Sequence, residues 1–237
     1  FFVPRGTHTF RVWNRVENTG TEPFTLEYVG TYGELMMTEP KTFRETEFWL
    51  PSNGSYCECQ WSRAPLTAFG VFGGHNMKSF KKFCVSNTGT WSTKTYLPMG
   101  ALKKKDGGFV FWQIEANGSW AYELSDLFDS LTLHLSGPTF EEHNWQKTLQ
   151  PGESFETVKA AVTWGNNFNE VTANMTAYRR AVTECGGGVF DRDRRPSPIS
   201  AKIFAAAAGI MKGYKTFIRT WGLRRCPPAA GAVLLTA

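Results

Sequence analysis

The 237-residue sequence lacks most of the signatures that name a chemistry. It has no P-loop and no dinucleotide-binding glycine fingerprint. The four histidines, His8, His75, His134 and His143, are scattered, with no metal-ligand spacing and no adjacent nucleophile motif. Five cysteines, Cys57, Cys59, Cys84, Cys185 and Cys226, show no repeated C-x-x-C spacing, which argues against a zinc site and a dense disulfide framework. Cys57 and Cys59 alternate along an expected strand and share a face, so buried free thiols are expected. Ile203 to Met211 is Ala-rich and apolar but far shorter than the ~20 residues a bilayer demands. No metal, cofactor, membrane or nucleic-acid partner is expected.

Basic character is also missing from most of the chain, although the net charge is +5. From Gly186 onward nine basic residues face only Asp191 and Asp193, a net +7, and the remainder carries −2. A nearly neutral body of this kind has no electrostatic footprint for nucleic acid. The first residues, Phe-Phe-Val-Pro-Arg-Gly, have neither an initiator Met nor a signal-peptide layout, so the chain reads as starting inside a longer protein. A cytoplasmic setting is slightly favoured. Asn53, Asn117 and Asn174 begin glycosylation sequons, which are frequent by chance.

Aromatic residues are what the sequence has in excess: nine Trp and 19 Phe. Rings favour strands and also offer flat apolar platforms for sugars. Short strands are expected at Thr9–Val16, Phe24–Val29, Phe43–Leu50, Tyr56–Trp61, Lys82–Asn87, Phe109–Ala116, Ser119–Leu124, Leu131–Ser136 and Ser154–Trp164. Gly, Pro, Asn and Asp punctuate the gaps, and no helical period intervenes, which predicts a sandwich or barrel. Asn117-Gly118 between aromatic runs predicts a two-residue type I′ hairpin. That register sets Glu115 opposite Trp120, on one face with Phe109, Phe111, Tyr122 and Leu124. One helix is expected late, capped by Asn166 or Asn167, with Phe168, Val171, Met175, Tyr178 and Val182 at helical spacing and a stop near Cys185-Gly-Gly-Gly. The fold class is therefore all-β: a sandwich or barrel over 1–165, one helix over 166–185, and an irregular basic tail over 186–237, expected to be poorly packed.

Paired carboxylates would be needed for glycoside hydrolysis. Glu115, Glu123, Asp126, Glu141 and Glu142 are present, yet spacing selects no pair. On its own residues the chain does not read as a catalyst.

Four colinear segments carry a resemblance. They are Glu17-Asn-Thr-Gly-Thr-Glu-Pro-Phe-Thr-Leu-Glu27; Val85-Ser-Asn-Thr-Gly-Thr-Trp-Ser-Thr-Lys-Thr-Tyr-Leu-Pro-Met-Gly100; Phe111-Trp-Gln-Ile-Glu-Ala-Asn-Gly-Ser-Trp120 with Glu123, Ser125 and Asp126; and Leu135-Ser-Gly-Pro-Thr139 followed by Leu149-Gln-Pro-Gly-Glu-Ser-Phe155 and Tyr178-Arg-Arg180. In this order they resemble the family 36 α-galactosidases. The resemblance implies the later half of that family's N-terminal supersandwich, with the (β/α)₈ barrel and its two catalytic aspartates absent, so no catalytic residue is carried over. It implies α-galactosides and the barrel as partners and a homo-oligomeric full-length enzyme. Glu115, Trp120 and Trp91 are the candidate sugar contacts. The alternative is a freestanding carbohydrate-binding sandwich without hydrolysis.

Overall fold

A computed structural model of the chain describes residues 1–37, 40–71, 80–127 and 130–185. The basic tail falls in a second unit, Gly188–Ala237, and lies outside the described residues. The strands are β1 Thr9–Val12, β2 Arg15–Glu17, β3 Phe24–Leu26, β4 Gly30–Met37, β5 Glu47–Ser52, β6 Gln60–Pro65, β7 Phe80–Asn87, β8 Met99–Lys103, β9 Phe109–Glu115, β10 Trp120–Leu127 and β11 Ser130–Ser136. A short helix α1, Phe140–His143, precedes β12 Lys147–Leu149, β13 Ser154–Glu156 and β14 Lys159–Gly165. The chain then enters helix α2, Phe168–Cys185.

All strand pairs are antiparallel. Six strands run in the order β1-β14-β9-β8-β5-β6, and four in the order β4-β11-β10-β7. Two ribbons, β12-β3 and β13-β2, complete the frame. Alternation decides which residues meet between the two main sheets. Phe48, Leu102, Val110, Trp112 and Ile114 from the larger sheet pack with Val85, Trp120, Tyr122, Leu124, Leu133 and Leu135 from the smaller one. The expected antiparallel β-sandwich with one main helix is the fold observed.

Gly100 lies opposite Trp112 in the β8–β9 pairing. A Cβ built there would sit 2.6 Å from the indole, so only glycine lets the ring lie across the strand. That ring stacks on Phe48 at 6.2 Å with 3° between planes.

The other face of the six-stranded sheet is covered by α2. Val171, Met175 and Tyr178 are buried against Met99, Ala101, Phe109, Phe111 and Ala161, with Phe168 and Val182 packed beside them. These are the five helix positions expected from the sequence. Asn167 Oδ1 accepts the Glu170 N–H at 2.9 Å, while Glu170 Oε2 accepts the Asn166 N–H at 2.9 Å, which satisfies orphan donors of the first turn.

Several local expectations are corrected. The Asn117-Gly118 hairpin does not form: β9 pairs with β14 and β8, and β10 with β11 and β7. The segment is an arch that crosses between sheets, and neither residue adopts the left-handed φ that a type I′ turn requires. Glu115 consequently faces Lys159, and Trp120 faces Asn87. Trp112 and Ile114 share the core with Trp120, whereas Phe109 and Phe111 point to the helix. Tyr56–Cys59 is a turn, with φ of 68° at Tyr56 and 52° at Cys59. Cys57 and Cys59 are exposed free thiols there, not buried ones. The start of the expected 43–50 strand is a 3₁₀ turn over Pro40–Glu45, and the expected 154–164 strand is divided into β13 and β14.

Candidate functional site

The three expected sugar contacts are placed in three different environments. Trp120 is fully buried, stacks on Tyr122 at 5.8 Å, and donates its Nε1–H to the Ser92 carbonyl at 2.7 Å. With no accessible surface, the ring serves the core. Trp91 is 54% exposed, in the crossing segment between β7 and β8. Its Nε1–H donates to Thr93 Oγ1 at 3.1 Å, and its carbonyl accepts from Asn87 Nδ2 at 2.9 Å.

Glu115 is removed from both rings, on the helix side of the six-stranded sheet. Arg11 donates to its Oε2 through Nε at 3.0 Å and also through Nη2, and the Tyr178 hydroxyl donates to Oε1. Arg179 Nη1 stands 3.7 Å from Oε1. The Glu115 side chain keeps only 11% of its surface, so its oxygens are committed inside the protein. Burial first, then the Glu115 carboxylate, raises the Tyr178 phenol above its ordinary range. This cluster ties the helix to the six-stranded sheet.

The remaining carboxylates are committed as well. Glu123 and Glu141 both meet Lys82, at 3.3 and 2.8 Å, and Glu142 accepts from Ser86 at 3.2 Å. Burial alone would lower the Lys82 ammonium, but Glu141 and Glu123 outweigh it and raise it. Asp126 is buried and accepts the Lys81 N–H at 2.6 Å. Among the described residues no group of three or more His, Cys, Asp or Glu is placed to hold a metal. No helix among them is long and apolar enough to cross a membrane.

An open cleft of about 500 Å³ lies where the 117–119 arch meets the loop after α1. Asn117, Ser119, His143, Asn144, Trp145 and Gln146 are among the residues that line it. His143 lines it with both ring nitrogens engaged: Nδ1 accepts the Thr139 N–H at 3.0 Å, and Nε2 meets the Asn87 carbonyl at 3.1 Å. The sequence reading missed this cleft, because its walls come from segments about 25 residues apart that only the crossing arch brings together.

The fold defines the class first: an antiparallel β-sandwich with its larger sheet capped by a helix. No protein-family model and no curated protein matches the chain. Solved structures do. The chain is similar to the α-galactosidase from Lactobacillus brevis, with a TM-score of 0.58, 13% identity, and coverage of 70% of this chain and 21% of that one. It is similar to the GH36 α-galactosidase AgaA from Geobacillus stearothermophilus in a variant complexed with stachyose, with a TM-score of 0.60, 16% identity, and coverage of 73% and 22%. A raffinose complex of another AgaA variant gives 0.59, 16%, 71% and 22%. The chain therefore has the fold of a region of GH36 α-galactosidases and spans about a fifth of their length.

Proposed function

We propose that this chain is an N-terminal accessory domain of an α-galactosidase, an enzyme that hydrolyses terminal α-galactosides in oligosaccharides, with a catalytic barrel as its partner. The observation that carries the reading is the fold match over about 70% of the chain to roughly a fifth of several GH36 enzymes. The colinear motifs support it. The 1–165 sandwich, the 166–185 exit helix and the 186–237 tail are the divisions this reading adopts. The full-length enzyme is taken as a homo-oligomer. Of the three sequence candidates, Trp91 keeps an exposed ring and is retained as a sugar-stacking surface.

Two measurements test the reading. The purified chain, produced in a host lacking α-galactosidase, should turn over no chromogenic α-galactoside. Sequencing the transcript should show a (β/α)₈ barrel in frame with the sandwich. Turnover by this chain alone, or a transcript without a barrel, would sink the proposal.

A further inference from the structure

We infer that the cleft between the 117–119 arch and the 143–146 loop is a binding site for a neutral saccharide. Its lining contains no Asp, Glu, Lys or Arg. A phosphorylated or carboxylate ligand would find no cation there, and a metal would find no anionic ligand. A purely apolar ligand fits no better. The side chains of Asn117, Asn144 and Gln146 are exposed amides, and among the described residues none forms a hydrogen bond with them. Covering them with hydrocarbon would strand their donors and acceptors.

A sugar meets both halves of this surface. Its hydroxyls pair with the amides, and its C–H face lies on the apolar floor and the half-buried indole of Trp145. The volume falls within the ~300–1,000 Å³ of small-ligand sites.

The walls are built in advance, which lowers the ordering cost of binding. The Trp145 ring packs against Phe155 at 5.3 Å, and its backbone N–H donates to the Thr139 carbonyl at 3.2 Å. Asn144 holds a left-handed φ of 52°, closing α1 through its N–H to the Phe140 carbonyl. On the opposite wall, Ser119 Oγ accepts the Gly89 N–H at 3.1 Å. His143 is held through both ring nitrogens, which fixes its place in the wall.

Only the choice of sugars for the test rests on the α-galactosidase reading. Raffinose, stachyose, maltotriose and cellotriose are titrated into the full chain by calorimetry and saturation-transfer NMR. At least one should bind saturably at a single site, with Kd on the order of 1 mM. Trp145→Ala should weaken it about tenfold, and Gln146→Ala about fivefold. Because Trp145→Ala also strips a neighbour from Phe155, Gly118→Leu gives an independent arm. A Cβ at Gly118 meets only the Gly89 carbonyl at 3.6 Å, an ordinary contact, and Gly118 lines the cleft, so added bulk there should narrow it; a urea melt checks that the variant folds. Saturable binding that Gly118→Leu and Gln146→Ala both weaken upholds the site. No binding of any saccharide up to roughly 50 mM, or binding indifferent to both variants, overturns it. Binding of maltotriose or cellotriose but neither galactoside upholds the site while counting against the α-galactosidase reading.

Discussion

The two faces of the six-stranded sheet are covered by different partners and held by different forces. Toward the four-stranded sheet the contact is dry and aromatic: Phe48, Trp112, Trp120 and Tyr122 meet ring to ring above Gly100. Toward α2 the contact changes along the helix. Phe168 sits among Trp49, Trp61, Phe109 and Phe111 at one end, while Tyr178 and Arg179 reach the Glu115–Arg11 pair at the other. Rings set how tightly the sheets close. The buried carboxylate sets where the helix must lie, because a charge accepts few arrangements that keep it paired. One face is specified by shape and the other by shape plus charge.

The largest effect expected from breaking this contrast is on the dry face. Gly100→Ala drives a Cβ to 2.6 and 2.9 Å from two indole atoms of Trp112. The ring cannot retreat, since it is fully buried and stacked on Phe48. A loss of about 3 kcal/mol in urea unfolding is expected. A loss below about 1 kcal/mol would mean the indole is free to shift.

On the helix face the expected effect is somewhat smaller. Glu115→Ala removes the acceptor shared by Arg11 and Tyr178 and should cost about 2 kcal/mol. Glu115→Gln keeps an oxygen for the Tyr178 hydroxyl and should recover roughly half of that. If both variants lose equally, charge rather than hydrogen bonding holds the helix.

A finer comparison lies within the dry face itself. Trp120 Nε1–H is bonded to Ser92, whereas Trp112 Nε1–H is buried without a partner among the described residues. The same Trp→Phe change deletes a bond at one site and an orphan donor at the other. Trp120→Phe should therefore cost about 1 kcal/mol more than Trp112→Phe, read from paired urea melts. Equal losses would show that ring volume alone matters.

The same contrast explains what the sequence made legible. The helix was readable because its apolar stripe and its Asn cap are local signals. The sandwich was readable from strand spacing. The arch was not, because the first four residues of β9 are buried on both faces, and Phe-Val-Phe-Trp therefore carries no polar side to show which residues face which layer. A strong turn dipeptide then suggested the nearest pairing, and tertiary packing overrode it. Tyr56 to Cys59 misled for the same reason: alternation was present, but two left-handed residues turned it into a loop. Asn18, in the first of the resembling segments, is buried, and its side chain binds the Glu22 and Leu149 carbonyls at 2.9 and 3.0 Å. That motif marks an architectural knot and no site. Nothing in the sequence separated the exposed Trp91 from the buried Trp120, and the cleft was legible to no local rule.

A last comparison concerns a third surface, the outer face of the four-stranded sheet, where charge meets a thiol and the effect appears only at alkaline pH. Cys84 lies beside Lys82 on β7 and is pushed up to about 12, by burial first, then by Glu142 and Glu123, with Lys82 opposing them. In the unfolded chain the thiol ionises near its ordinary 9.0. Above that pH the unfolded state loses a proton that the native state keeps, so the native state binds more protons and stability falls as pH rises. The contribution is present in full below about 9 and is lost as pH climbs toward about 12. Cys84→Ser removes the titration, so the stability gap between wild type and variant should narrow in favour of the variant between about pH 8 and about pH 10.5. Alkylation mapped by peptide should meanwhile label the exposed Cys57 and Cys59 well before Cys84. A gap that stays constant with pH, together with equal labelling rates, would show that the thiol is no more shielded than those on the turn. The outer face would then be as open to water at its centre as at its rim.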